Sequence, residues 1–334
     1  MKTCKIVFPR VLQVEEKPDN ISSPTQAKVK IVTSLLSPVE YSAYNGREGL
    51  KYPLVPGRFA SGIVVETGEG CISVEKGTRV YLNAITAQEQ DDDDEEDEII
   101  SIAGVNSDGF LRDFVVAEED MLSPLPPAVN DAESVFVEPV ALCEAVTDKL
   151  KADKGKHIAV IGADTLGVLL CQLLIYHRAV PILIDTDTEK LKLANKAGIY
   201  YTLEANESLL ENISQLTGGR MAYGGIFITE SKLSPELVFS ATRKNGCVVL
   251  AGFTTTEHYI TMEKACNKNL CVYSVNNGHS YTSTAINLLV NKAVNVASLN
   301  APTLLKENLE QALEQGAKLL EEGKNPSITI LNMM

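Results

Sequence analysis

No Cys-x-x-Cys pair, HExxH, GxSxG or Walker element occurs anywhere in the 334 residues. Their absence removes the usual signatures of zinc knuckles, zinc proteases, α/β-hydrolases and P-loop enzymes. The seven cysteines are odd in number and dispersed from Cys4 to Cys271, so no disulfide framework is implied. They read as small apolar residues of a cytoplasmic protein. The four histidines, His157, His177, His258 and His279, assemble no visible metal set or triad. Positive charge is scarce, with 30 Lys and Arg against 44 Asp and Glu and a net charge of -14. Nucleic acid and anionic membranes need surfaces rich in Lys and Arg, so neither is an expected partner. Long apolar runs are missing too. The best, Leu166 to Ile175, is broken by Gln172 and is far short of the roughly 20 residues that span a bilayer. The N-terminal MKTCKIVFPR has no apolar core, so no secretory leader is expected.

What is present is a change of pattern near residue 145. Before it, short alternating runs such as Ala27–Val32, Ala60–Glu66, Thr78–Leu82 and Gly109–Val116 read as strands, punctuated by Gly57, Gly62, Gly68, Gly70 and Gly77. These predict a small coiled β-barrel. Residues 86–98 form a low-complexity loop in which Glu89 and Asp91–Glu98 supply nine acidic groups. It reads as a solvated, self-repelling excursion, with an interaction tail or a divalent-ion site as the alternatives. Pro124-Leu125-Pro126-Pro127 stiffens the connection that follows. Beyond residue 145, apolar strands at 158–161, 181–184, 226–228, 247–252 and 270–275 alternate with helices. That alternation predicts a doubly wound parallel sheet, an α/β fold. Residues 303–323 read as an amphipathic helix and 328–331 as a closing strand.

The strand at 158–161 runs into Gly162-Ala163-Asp164-Thr165-Leu166-Gly167 and then a helix, while the next strand ends at Asp185. A glycine turn opening a helix, followed by an acid on the next strand, is a dinucleotide-binding arrangement. Gly162 supplies the tight turn, Gly167 the close helix–strand approach, and Thr165 and Leu166 the first helix amides. Asp185 is placed to accept ribose hydroxyls. Thr186-Asp187-Thr188 contains no cation for a 2′-phosphate, which favours NAD over NADP. One position is wrong: Asp164 stands where a glycine normally leaves room for pyrophosphate. A carboxylate about 4 Å from a phosphate charge costs on the order of 4 kcal/mol at an effective dielectric of 20, roughly a thousandfold in affinity. Two readings stay open: the turn still binds dinucleotide, or the domain is kept for packing alone.

The motifs together resemble the medium-chain dehydrogenase/reductase superfamily, and within it the zinc-type alcohol, polyol and threonine dehydrogenases. Tyr52-Pro53-Leu54-Val55-Pro56-Gly57-Arg58-Phe59-Ala60-Ser61-Gly62 follows the family's YPxxPGHExxG signature, Asp108–Phe114 its DGGFAEY element and Glu138-Pro139-Val140-Ala141 its EPLA element. The resemblance implies a GroES-like β-barrel catalytic domain over 1–144 and 280–334, and a Rossmann domain over 145–279. It also implies a homo-oligomer joined through sheet edges, with Leu270–Val275 as the expected edge strand, acting on a small alcohol or carbonyl substrate.

The departures bear on chemistry. In zinc members a Cys, a His and often the EPLA Glu hold the metal. Here the Cys and His positions are Ser37 and Arg58, the Glu beside the His is Phe59, and only Glu138 survives as a potential ligand. The cysteine lobe of the structural zinc is replaced by the acidic loop. A hydroxyl, a permanent cation and a phenyl ring do not make a zinc site, so no metal is expected. Arg58 is the candidate to polarise the substrate oxygen in the metal's place. Glu40, where the family keeps an Asp, is its candidate partner, with Ser37 and Tyr52 as candidate proton relays and Tyr41 and Tyr44 as further donors. A structural ion pair plugging an abandoned pocket is the plainer reading of Arg58 and Glu40. The expected activity is zinc-independent, NAD-linked oxidoreduction. The alternative is a retired enzyme that binds a metabolite or serves as an assembly subunit.

Overall fold

A computed structural model describes residues 2–16, 21, 23–88, 99–252 and 257–334. The chain divides into two compact units, residues 1–137 with 301–334, and residues 138–300. The first unit builds β1 (Lys2–Phe8), β2 (Val11–Glu16), β3 (Gln26–Leu36), α1 (Pro38–Tyr44), β4 (Phe59–Thr67), β5 (Arg79–Leu82), β6 (Ile85–Gln88), β7 (Ile99–Ile102), β8 (Phe114–Glu118), β9 (Leu122–Pro124) and α2 (Asp131–Ser134). Next come α3 (Val137–Leu150), β10 (His157–Ile161), α4 (Thr165–Tyr176), β11 (Val180–Asp185), α5 (Thr188–Lys196), β12 (Tyr201–Glu204) and α6 (Leu209–Leu216). The second unit is completed by β13 (Ala222–Ile228), α7 (Glu236–Ala241), β14 (Thr242–Ala251), α8 (Met262–Asn267), β15 (Cys271–Val275) and α9 (Thr282–Val290). The chain then returns to the first unit as β16 (Thr303–Leu305), α10 (Leu309–Glu321) and β17 (Thr329–Asn332).

In the first unit, a seven-stranded sheet runs β16-β17-β3-β4-β5-β9, with β8 also paired to β3. Register shifts between β3 and β4 near Lys28 and Ile31 bend the sheet, as a barrel wall requires. Ile31, Leu36, Tyr41, Val80, Leu111 and Leu313 are all within its buried core. Gly109, Phe110 and Leu111, expected to begin a strand, instead donate their amides to the carbonyls of Val55, Gly57 and Pro56. Strand pairing starts only at Phe114. This loop therefore clamps the segment that leads into Arg58. The acidic run at 89–98 lies outside the described residues, and β6 and β7 on either side of it pair antiparallel.

The second unit is a parallel six-stranded sheet ordered β12-β11-β10-β13-β14-β15. Its central strands β10 and β13 are apolar and buried along most of their length, as expected of strands covered on both faces. Strand order reverses about β10, and in such sheets ligands bind beyond the carboxyl ends of the strands at that reversal. The edge strand at one side is β15, as the sequence predicts.

Two boundaries differ from expectation. The second unit is 138–300, not 145–279, because both flanking segments pack within it. Residues near Gly278 lie against the α3 backbone at Ala141 and Leu142, Tyr281 donates to Asp148, and Gln172 of α4 bonds Asn295 and Ser298. The helix expected from residue 303 begins at Leu309, since Thr303–Leu305 pairs with β17 as a parallel strand.

Asp113 ties three parts of the first unit together. Its carboxylate accepts from the Lys2 amide and the Lys306 ammonium, and its carbonyl accepts from Ile31. Burial pushes this carboxyl up, but the Lys306 and Lys2 donors outweigh it and hold the group below the usual range. Its stabilisation is therefore complete above the unfolded carboxylate range and is lost as pH falls through the lower folded value. Asp113→Asn should cost about 1 kcal/mol at pH 7, allowing for solvent screening, with the deficit shrinking in urea titrations as pH falls below the usual carboxylate range. A deficit independent of pH would contradict this.

Candidate functional site

The glycine turn is built as its sequence suggests. Gly162 has φ +111°, and its amide donates to the Ile184 carbonyl of β11. A methyl on Gly167 would stand 1.9 Å from the Gly162 carbonyl oxygen, so α4 rests directly on the turn. Asp185 is buried and joins two turns: one carboxylate oxygen accepts from the Ala163 amide at 2.7 Å, the other from Asp187 at 2.9 Å. Each oxygen keeps a second lone pair for a further donor.

Asp164 is the N-cap residue of α4, a position where an aspartate normally accepts from the first-turn amides. Here it makes no capping hydrogen bond. Its Oδ1 instead accepts from the Lys190 ammonium of α5 at 2.5 Å, in a pair whose side chains are 24% and 30% exposed. Lys232, beyond the end of β13, feels both: burial and the Lys190 charge lower its pKa, and Asp164 opposes them. Around the turn, the Asp164 and Asp185 carboxylates are thus matched by the Lys190 and Lys232 ammonium groups, and Asp164 leaves the first amides of α4 uncapped. Neither lysine was singled out from the sequence. Lys190 stands two residues beyond the Thr186–Thr188 window, and its 26-residue separation from Asp164 hides the pairing.

In the first unit, Ser37 caps α1 through a capping box with Glu40, and Pro38 occupies the first helical position. Glu40 is buried; its Oε2 accepts from the Ser37 amide and hydroxyl at 2.8 and 2.7 Å, and its Oε1 from the Arg58 backbone amide at 3.1 Å. Burial raises the Glu40 pKa in spite of these donors. So Ser37, Glu40 and Arg58 do come together, but Glu40 meets Arg58 at its backbone rather than at its charge. The hydroxyls of Ser37 and Tyr52, the expected proton relays, both donate within the first unit. Ser37 gives its one proton to Glu40, and Tyr52 gives its own to the Ala43 carbonyl of α1 at 2.5 Å. Tyr41 and Tyr44 likewise bond Thr329 and the Arg10 carbonyl, and burial lifts the Tyr41 hydroxyl to about 12. Arg58 is 4% exposed, with its guanidinium 5.5 Å from the Phe59 ring centre.

Residues 23–127 match the alcohol dehydrogenase GroES-like domain, and residues 165–291 match the zinc-binding dehydrogenase family. The chain belongs to the medium-chain dehydrogenase/reductase superfamily. It is an oxidoreductase of that superfamily. Sorbitol dehydrogenase of Halalkalibacterium halodurans is 27% identical over 304 residues, covering 86% of this chain and 87% of that one. Probable D-xylulose reductase A of Arthroderma otae is 25% identical, covering 80% of this chain and 78% of its own. An Escherichia coli alcohol dehydrogenase, rspB, solved with NADH, superposes with a TM-score of 0.86 at 20% identity, over 100% of this chain and 99% of that one.

The donors at the superfamily's zinc positions do not fit the metal. Ser37 is consumed by its helix cap, Arg58 is a cation and Phe59 has no donor atom. Among the described residues, no group of three or more His, Cys, Asp or Glu is arranged to hold a metal ion, and no helix is long and apolar enough to cross a membrane. His258, expected in a loop, holds the Thr229 carbonyl just past β13 at 2.7 Å.

Gly167→Ala would drive a methyl into the backbone of the turn. It should cost about 2–4 kcal/mol in chemical denaturation. An unchanged midpoint would mean that α4 does not rest on Gly162 as described.

Proposed function

We propose that the protein is an NAD-linked dehydrogenase of small alcohols or polyols and their carbonyl counterparts that works without zinc. The observation that carries the reading is the Asp164–Lys190 pair. It turns the misplaced carboxylate away from the first amides of α4 and cancels its charge. The penalty expected of a bare carboxylate is then reduced, because Lys190 neutralises Asp164 and Lys232 adds a further positive charge beside it. Thr165, Leu166 and Gly167 would receive the pyrophosphate on their amides, and Asp185 would accept the ribose hydroxyls, which favours NAD. When bound, the nicotinamide supplies the hydride acceptor or donor. The polyol class is suggested by the sorbitol and xylulose enzymes among the relatives.

Arg58 is the group we assign to the substrate oxygen. It is permanently charged and buried, where a fixed cation stabilises developing alkoxide charge far better than in water. Glu40 serves as a positioning residue: its bond to the Arg58 amide sets the backbone from which the guanidinium extends. Assembly as a homo-oligomer through the β15 edge, where Val272 and Tyr273 are exposed, belongs to the same proposal. The commitment of Ser37 and Tyr52 to α1 is what favours the retired-enzyme reading, since it removes two proton carriers.

Two experiments bear on this. In NADH fluorescence titrations, Lys190→Gln should weaken binding at least about tenfold, and Asp164→Asn placed in that background should recover much of the loss. Additive effects in this double-mutant cycle would sink the charge-cancelling role. In the second, Arg58→Met should lower kcat about 100-fold or more for a polyol substrate while NADH affinity stays within twofold. Undiminished turnover would remove Arg58 from the chemistry.

A further inference from the structure

The opposite end of the parallel sheet carries a second charged feature that the dehydrogenase reading does not use. A cavity of about 170 Å³ opens where β10, β13 and β14 begin, and five of its nine lining residues are basic. Lys154, Lys156 and His157 enter from the loop and first residue of β10, Arg220 from the turn before β13, and Arg243 from the start of β14. No acidic residue lines it. Among the described residues, Lys154, Lys156, Arg220 and Arg243 make no ion pair, although the chain as a whole carries -14. The ring of Tyr223 contacts two of these cations, with the Arg243 guanidinium 4.1 Å and the Lys156 ammonium 4.6 Å from its centre. The Arg243 Nε is buried and has no hydrogen-bond partner.

Four like charges drawn around one hollow repel each other, and an exposed surface would let them spread or pair with the abundant carboxylates. Here the aromatic ring holds two of them in place, while a buried guanidinium N–H lacks an acceptor, a costly arrangement unless something completes it. From this we infer a binding site for a small phosphate-bearing anion, carrying two or more negative charges, at the amino ends of β10, β13 and β14. Planar guanidinium forks match phosphoryl oxygens, and two of them flanked by two ammonium groups suit a multiply charged group better than a single carboxylate. The volume equals roughly six waters at about 30 Å³ each, enough for a pyrophosphate-sized group but not for a dinucleotide. The site is separate from the glycine turn. Five residue steps along β10 separate His157 of the cavity from Gly162, about 17 Å at the rise of a strand. Binding there would bear on the sheet that carries Gly162 and Asp185 at its other end, so the site is a candidate for an effector. The overall negative charge argues against nucleic acid surfaces, and a local pocket is consistent with that.

The test is calorimetric titration of the full chain with inorganic phosphate, pyrophosphate, AMP and ATP, all free of divalent metal, with and without NADH. Pyrophosphate should bind more tightly than phosphate, and NADH should not displace it. Lys156→Gln combined with Arg243→Gln should weaken pyrophosphate about 30-fold or more, at roughly tenfold or slightly less per lost charge. Arg220→Gln, at an exposed side chain, should weaken it about tenfold and guards against a double variant that fails to fold. ATP binding that exceeds pyrophosphate and falls with the same variants would assign the phosphate to a nucleotide, whereas equal or weaker binding would assign it to a free polyphosphate. No pyrophosphate binding at about 10 mM, affinity untouched by these variants, or displacement by NADH would each overturn the inference. The titrations without NADH, with the variants, distinguish failure of this site from failure of the dehydrogenase reading.

Discussion

A carboxylate at the mouth of a helix will cap that helix unless something stronger holds it, and this constraint governs the nucleotide end of the protein. Asp164 has the backbone conformation of an N-cap and yet leaves the amides of α4 alone. Lys190, reaching across from α5, takes the carboxylate instead. The pair links the helices after β10 and β11, while Asp185 links the two turns beneath them through Ala163 and Asp187. Remove the ammonium, and the acid would satisfy the helix itself, closing the site by the same chemistry that caps ordinary helices. In the proposed function, the aspartate at this glycine position depends on Lys190.

A similar economy operates in the first unit, where one buried carboxylate completes a helix cap and fixes a distant backbone. Glu40 receives two donors from Ser37 and one from Arg58, so α1 and the strand that begins at Phe59 are held at the same point. A carboxylate this buried would be costly without such donors, and even with them its pKa is raised. At the positions of the zinc signature, this chain has a helix cap at Ser37 and a buried permanent cation at Arg58. The proposed role of Arg58 rests on that charge, while the nearby hydroxyls donate within the fold.

Much of the architecture was legible because it is written in local periodicity. The apolar runs at β10, β11, β13 and β14, the helix over Thr188–Lys196 and the spacing from Gly162 to Gly167 each depend on residues close in sequence. What could not be read depends on partners far apart. The shift of the second unit's limits follows from α3 and the segment after β15 packing together, and the late start of α10 from β16 pairing with β17. The same holds at the site. Of residues 37, 40, 52 and 58, Ser37, Glu40 and Arg58 meet, whereas the Tyr52 hydroxyl donates to Ala43. The direction in which each hydroxyl spends its proton is set by the tertiary arrangement, which no spacing rule reports. The Asp164–Lys190 pair, 26 residues apart, is of this kind.

The most direct measurement is a crystal structure of the protein grown with NADH. The account predicts density for the dinucleotide with its pyrophosphate on the amides of Thr165 to Gly167 and the Asp164 carboxylate still on Lys190. A structure in which Asp164 has swung onto those amides, with no dinucleotide bound at saturating NADH, would contradict it.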